Sequence, residues 1–294
     1  YNKTGEQRYL DFASYIVAQW ETPEGPQLIS RADVPVSLRF PHPVKWFSYD
    51  NGSKAYEMMS CYEGLLEYYK VTGNKRDYDA VLKAYTHILE EEINVAGSGS
   101  AVECWYGGKA LQTVPTYHTM ETCVGFTWMQ FCSRLLALTG DSRYADNIER
   151  TFYNAILGAL KDDGCQIAKY TPLEGWRVEG EKQCGLNINC CNANGPRAFA
   201  MIPQLACQAE DKMLKLNWYG DSEAKVALGR RNAMKMTVSG NYPVSGDVAI
   251  GLELVKPADF TLALRIPEWS RNTSATLISG TDTIAVDLSE LQAG

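Results

Sequence analysis

Nowhere does the sequence run apolar for the roughly 18 residues that a membrane-crossing helix needs; its longest candidates are broken by charge, as in Leu135 to Asp141. A membrane partner is therefore not expected. A basic surplus is also missing: 28 Lys and Arg face 35 Asp and Glu, a net charge of −7. Binding a phosphate backbone takes clustered Lys and Arg that displace counterions, so nucleic acid is not expected either. The low hydrophobicity of a disordered chain is absent, with 45% of residues hydrophobic and 21% charged, and the chain is too long for a small disulfide scaffold. What is present, 294 residues, can bury about three quarters of the unfolded surface in one large or two modest domains. The unusual contents are 9 Cys and 7 Trp. Thiols suggest metal or thiol chemistry, and indole rings are the flat apolar faces on which sugars stack. The chain begins at Tyr1 with no charged-then-apolar leader and stops at Gly294 inside a patterned region, so it reads as part of a longer protein.

A repeat emerges when the Thr-Gly pairs are aligned. Thr4-Gly5, Thr72-Gly73 and Thr139-Gly140 recur 68 and 67 residues apart, each followed by a polar turn and then Tyr9, Tyr78 or Tyr144. An amphipathic helix over Ala55 to Tyr69 would end at a Gly able to take positive φ, and a second would run from Tyr78 to about Ile88. The third copy predicts helices from Glu121 to Leu138 and from Tyr144 to Leu160, with Asp141 or Ser142 as N-cap, and a further one including Ala198 to Gln208. Stacked helical hairpins of this kind build a solenoid or a closed toroid. Long connections, Glu21 to Asn51 and Asn94 to Met120, are rich in Pro, Gly and aromatics, and such loops are usually functional. After about Asp211 the period changes to 2, as in Lys212 to Trp218, Met234 to Val238, Asp247 to Leu254 and Asp259 to Ile266, which predicts a β-sandwich. The expected domains are 1–210 and 211–294.

Three thiols and a carboxylate stand out. Glu121-Thr-Cys123 opens a predicted helix, and Cys190-Cys191 precedes the helical segment starting near Arg197. One Glu and three Cys form a sensible tetrahedral set for Zn²⁺. The spacing is unlike a zinc ribbon, and the alternatives stay open: Cys123 as a small buried hydrophobe, Cys190 and Cys191 as loop thiols or a vicinal disulfide. Glu103 lies in a loop of small and aromatic residues, where partial desolvation would raise its pKa and let it carry a proton at neutral pH. Glu149-Arg150 interrupts an otherwise apolar helix and reads as a structural ion pair or a solvated face. His118 is the histidine nearest to Glu121, whereas His42 and His87 are isolated. Trp46-Phe47, Trp105-Tyr106 and Trp176 lie in long loops and are candidate sugar platforms; Trp128 is a core residue of a helix.

Three stretches carry a resemblance: Glu121-Thr-Cys-Val-Gly-Phe-Thr-Trp, then Leu135 through Ile156 to Leu157, then Asn189-Cys-Cys-Asn-Ala-Asn-Gly-Pro-Arg, with Arg265-Ile-Pro-Glu-Trp in the β region. Together they resemble glycoside hydrolase family 127 and its close relatives. The resemblance implies an (α/α)6 toroid with β-sandwich domains, and retaining β-L-arabinofuranosidase activity on plant-type glycans. The three visible hairpins are then about half of a twelve-helix toroid. It further implies that Glu121, Cys123, Cys190 and Cys191 hold Zn²⁺, that Cys190 is the nucleophile and Glu103 the acid/base, and that Glu149 and Tyr170 contact the oligosaccharide or glycoside substrate; His118, read from its place beside Glu121 alone, is expected to orient a ligand, contact the sugar or pack the loop. The stretch from Glu103 to Glu121 is about two residues longer than in the best-known relatives, and Ser53-Lys54 replaces a Gly-His pair, a departure that bears on sugar specificity. The competing expectations are a non-catalytic carbohydrate-binding or structural zinc protein on this fold, and an unrelated two-carboxylate hydrolase. Metal-binding thiols favour a reducing cytoplasm, while polysaccharide-degrading relatives are often periplasmic or exported, so the compartment stays open.

Overall fold

Thr72-Gly73-Asn74 shows how the repeat is built. Helix α2 (Ala55–Thr72) ends where Gly73 adopts φ +70° and its N–H returns to the Tyr69 carbonyl at 2.8 Å. A side chain there would meet the steric penalty of left-handed backbone, which glycine avoids. Asn74 then caps α3 (Lys75–His87), its Oδ1 accepting from Arg76 N at 3.2 Å. The turn is closed by stacking of Tyr69 on Tyr78, ring centres 4.9 Å apart. The same logic joins α4 (Thr122–Thr139) through Gly140, φ +71°, to α5 (Ser142–Arg150), with Asp141 Oδ1 accepting from Arg143 N at 3.0 Å. Helix α1 (Gln7–Trp20) follows the first copy, Gly5 again having φ +72°.

The computed structural model describes residues 1–39, 53–116, 118–179, 188–210, 212–229 and 232–288. His42, Trp46-Phe47 and Cys184 lie outside the described residues. The chain separates into two compact units, Tyr1–Leu138 with Arg150–Phe199, and Thr139–Glu149 with Ala200–Gly294.

In the first unit α4 is buried on nearly every face, as its apolar sequence requires. Trp128 stacks on Tyr85 of α3 at 5.3 Å, and Phe131 packs against Tyr62 of α2 at 6.5 Å. Two helices differ from expectation. The segment predicted to run from Tyr144 to Leu160 widens into a π turn at Thr151–Ile156 before α6 (Leu157–Ala159). The widening sits where the loop at Gly97 presses on the Thr151 backbone and Thr151 Oγ1 donates to the Gly97 carbonyl at 2.7 Å. Helix α7 spans Cys190–Leu205, so the cysteine pair is its first two residues rather than a preceding loop. Pro196 suggests a helix start near Arg197, because proline favours the first turn. A reciprocal cap overrides that signal: Asn189 Oδ1 accepts from Cys191 N at 3.0 Å and Asn192 Oδ1 accepts from Asn189 N at 2.8 Å.

The second unit is mainly β. Strands β1 (Cys207–Glu210) and β2 (Met213–Leu216) pair antiparallel, and β2 pairs parallel with β6 (Thr261–Leu264). A second sheet is the antiparallel meander β3 (Ser222–Leu228), β4 (Asn232–Ser239) and β5 (Ala249–Leu254); β7 (Ala275–Ser279) and β8 (Asp282–Val286) form a hairpin. Period 2 is plainest in β4, whose Met234, Met236 and Val238 turn inward. α7 stops at Leu205, short of the expected Gln208, because Cys207 and Gln208 pair with Leu216 and Lys215 in the first sheet.

Arg265 ties this unit together. Its buried guanidinium pairs with both Asp146 and Glu149, and its Nε donates to the Asn217 carbonyl at 2.8 Å. Trp269 Nε1 donates to the other Glu149 oxygen at 3.1 Å. Removing one partner from such a buried set strands two carboxylates. Arg265→Met is expected to lower unfolding free energy by about 3–5 kcal/mol, read from urea unfolding of the second unit's β signal.

Candidate metal centre and active site

Three backbone segments lie side by side and carry the site. The Glu103 loop hydrogen-bonds to the strand-like stretch ahead of α4, through Val102 N to His118 O at 3.0 Å and Met120 N to Ser100 O at 3.2 Å. That stretch in turn meets residues 167–170: Thr122 N donates to Lys169 O at 2.9 Å, Thr122 Oγ1 to Ala168 O at 2.7 Å, and Glu121 bridges to Tyr170. Helix α7 packs onto the same segment. Gly195 approaches so closely that a Cβ would fall 2.2 Å from Ile167 Cδ1, and Ile167 belongs to the apolar cluster of Cys123, Ala159 and Cys191. Arg197 lies over the Phe126 ring at 4.4 Å, tying α7 to α4.

The packing brings two helix starts together. Glu121, just ahead of α4, Cys123 in its first turn, and Cys190 and Cys191 in the first turn of α7 offer four ligand atoms within 4.8 Å of one another. The Cys123 and Cys191 sulfurs are 3.1 Å apart, and Glu121 Oε1 is 3.7 Å from Cys190 Sγ and 3.6 Å from Cys191 Sγ. Cys123 and Cys191 are buried, whereas Cys190 reaches the surface. All eight described cysteines are free thiols, Cys190 and Cys191 among them.

The electrostatics of the group ask for a cation. Burial, then the charges of Glu103 and Cys190, push the Glu121 carboxyl up to about 8, and its Oε2 is buried with no hydrogen-bond partner. Hydrogen bonds from Cys123 and Cys191 pull the Cys190 thiol far down; hydrogen bonds with Cys123 and Cys190, with burial added, leave Cys191 raised, and the bond with Cys190 raises Cys123. Negative charge thus collects on Cys190, and the other groups resist ionising beside it. A metal ion coordinated by thiolates and a carboxylate resolves that conflict and supplies the missing partner of Glu121 Oε2. The residues therefore fit a metal ion.

Glu103 differs electrostatically from expectation. Burial acts to raise its carboxyl, but Lys169, donating to Oε1 at 2.7 Å, and Lys54, donating to Oε2 at 2.6 Å, outweigh burial and hold it below the usual carboxylate range. Glu103 is ionised at neutral pH because two ammonium groups face it, and those lysines are distant in sequence. The surrounding backbone is strained as well. Ser100, Val102, Glu103, His118 and Met120 all have positive φ, from 46° to 70°. Left-handed backbone at non-glycine residues costs of order 1–3 kcal/mol each and clusters at functional sites; at a β-branched residue such as Val102 it is a true outlier.

His118 stacks on Tyr170 with ring centres 4.5 Å apart and an interplanar angle of 7°. Tyr170 is buried, so the imidazole covers the phenol face. A surface cleft lined in part by Asn94, Tyr106, Gln112, Thr119, Pro172 and Glu174 adjoins this pair in sequence and excludes the thiols. Trp105 is in the core at 1% exposure, whereas Trp176 is 90% exposed. Glu149 belongs to the second unit, where Arg265 and Trp269 occupy its two oxygens; of the ion pair and the solvated face that its sequence context allowed, the structure shows the ion pair. Sequence reasoning missed Lys169 altogether and noted Lys54 only as a departure from a family pattern. The Asn-Cys-Cys-Asn spacing was the available signal for the helix start.

Comparison with known proteins gives a consistent result. The profile described as β-L-arabinofuranosidase, GH127 catalytic domain, matches residues 1–204. The chain belongs to the GH127 family. The GH127 middle-domain profile matches residues 213–290. A non-reducing end β-L-arabinofuranosidase of Bifidobacterium longum subsp. longum is 22% identical over 312 residues, covering 95% of this GH127 chain and 46% of that protein. Among solved structures, a GH127 β-L-arabinofuranosidase from Geobacillus stearothermophilus T6 superposes with a TM-score of 0.73 at 21% identity, covering 100% of this chain and 49% of that one. A GH127 β-arabinofuranosidase gives 0.70 at 22%, covering 98% and 46%. The GH127 chain shares their fold and spans about half their length.

The metal assignment has a direct check. Elemental analysis of unchelated protein is expected to find about one divalent metal ion per chain, falling below about half in Cys191→Ala. Parent protein isolated with essentially none would remove the four-residue group as a metal centre.

Proposed function

We propose that this GH127 chain carries the catalytic machinery of a retaining glycoside hydrolase acting on β-L-arabinofuranosides of plant-type glycans. In this reading Glu121, Cys123, Cys190 and Cys191 hold zinc, Cys190 is the nucleophile, Glu103 the acid/base, and His118 with Tyr170 lines the sugar site. The domains divide near residue 210, between an (α/α)6 toroid and a β-sandwich. The observation that carries the reading is the convergence of four metal-fitting side chains in which one thiol, Cys190, is accessible.

In the first displacement Cys190 Sγ bonds to the anomeric carbon as the bond to the leaving oxygen breaks, and that oxygen takes a proton from Glu103. In the second, water attacks the same carbon, the carbon–sulfur bond breaks, and Glu103 takes the water proton. Two displacements retain the anomeric configuration. Zinc, when bound, keeps the thiols deprotonated at neutral pH at the cost of damped nucleophilicity. Glu103, held as a carboxylate between two lysines, stands ready for the base half of the cycle. For the acid half it must take up a proton, which desolvation by bound sugar favours. Lys54, where relatives have His, bears on which pentofuranoside fits.

On 4-nitrophenyl β-L-arabinofuranoside, Cys190→Ser is expected to lose at least about 10³-fold in kcat/KM, and Glu103→Gln about 10²–10⁴-fold, with far-UV circular dichroism unchanged. The first product anomer seen by NMR should be the β form. Release of the α anomer, or full activity after thiol alkylation, would favour a two-carboxylate hydrolase. Sugar binding without turnover by the parent protein would favour the non-catalytic reading.

A further inference from the structure

Lys169 touches both halves of the proposed machinery. Its ammonium, with the side chain 4% exposed, donates to Glu103 Oε1 at 2.7 Å. Its main-chain carbonyl accepts from Thr122 N beside Glu121 and lies 3.9 Å from the Cys191 sulfur. From the opposite side, Lys54, whose side chain is 20% exposed, donates to Glu103 Oε2 at 2.6 Å. The next residue, Ala55, donates its N–H to the Glu103 carbonyl at 2.9 Å. Lys54-Ala55 therefore grips Glu103 by side chain and main chain together, at a residue whose own φ is +70°. Each carboxylate oxygen has its own ammonium, so turning the carboxylate about its terminal bond breaks both ion pairs.

The geometry points to Lys169 and Lys54 as positioning residues that fix the Glu103 carboxylate, with Lys169 referencing it through its own backbone to the Cys190-Cys191 turn. The inference rests on Glu103 being the acid/base. The two lysines are not equivalent. Water can replace only part of what the partly exposed Lys54 ammonium does, and none of what buried Lys169 does, whose loss leaves a desolvated carboxylate oxygen free to rotate. A displacement of about 1 Å in a reacting group costs about 10²-fold in rate, so the effect should fall on kcat.

The test compares Glu103→Gln, Lys169→Met, Lys169→Arg and Lys54→Met by steady-state kinetics on the aryl arabinofuranoside, with metal content and thermal unfolding measured on each. Lys169→Met should lose about 10²-fold in kcat with KM within about threefold, Lys169→Arg should recover to within about tenfold of the parent, and Lys54→Met should lose about tenfold. A purely structural lysine would move metal content and melting temperature with kcat, and charge-conserving Arg would give no selective recovery. If Glu103→Gln is inactive while Lys169→Met keeps kcat within twofold, the clamp is wrong and the acid/base reading stands. If Glu103→Gln is fully active, both fall. Should Lys169→Met fail to fold or lose its metal, Lys54→Met decides: an unchanged kcat overturns the clamp, and the tenfold loss at constant metal content supports it.

Discussion

Four groups able to carry negative charge, Glu121, Cys123, Cys190 and Cys191, are held within 4.8 Å of one another, three of them buried and Cys190 at the surface, and much of the first unit is arranged around that concentration of ionisable groups. Like charges at this separation cannot all ionise unaided. Some stay protonated, as the raised Glu121, Cys123 and Cys191 indicate, or a cation joins them. The chain lowers the cost in a second way, by delivering all four at the beginnings of two long helices, α4 and α7, where unpaired N–H groups and the helix dipole favour negative charge.

Holding those helix starts in register is a packing problem. Trp128 and Phe131 fix the far part of α4 against α2 and α3, Arg197 fixes α7 over Phe126, and the Asn189/Asn192 cap makes Cys190 the first helical residue rather than a loop residue. The short bridges linking residues 98–104, 118–121 and 167–170 then set the distance between the thiols and Glu103. They do so with left-handed backbone at Val102 and Glu103, conformations that a freely chosen loop would avoid.

Much of this was legible in the sequence where the cause is local. The Thr-Gly repeat located two hairpins because positive φ at Gly73 and Gly140 is a short-range requirement. Alternation located the strands because a half-buried strand has period 2. The Glu/Cys set was legible as chemistry but not as geometry, since the only local sign that α7 begins at Cys190 is the pair of asparagines flanking the thiols, and nothing local brings α7 to α4. The protonation of Glu103 was misread because its determinants, Lys54 and Lys169, stand 49 and 66 residues away in sequence. Glu149 was legible as an ion pair, but its partner Arg265 is 116 residues on, and only the folded second unit identifies it.

Gly195 has a consequence of a different kind. Ile167 packs against it and shares one apolar cluster with Cys123 and Cys191, so any side chain at 195 would have to displace Ile167 within the cluster that backs these thiols. Under mutational drift, a change at this position would be felt in the packing behind the two buried thiols. A residue with no side chain thereby constrains the chemistry of its neighbours.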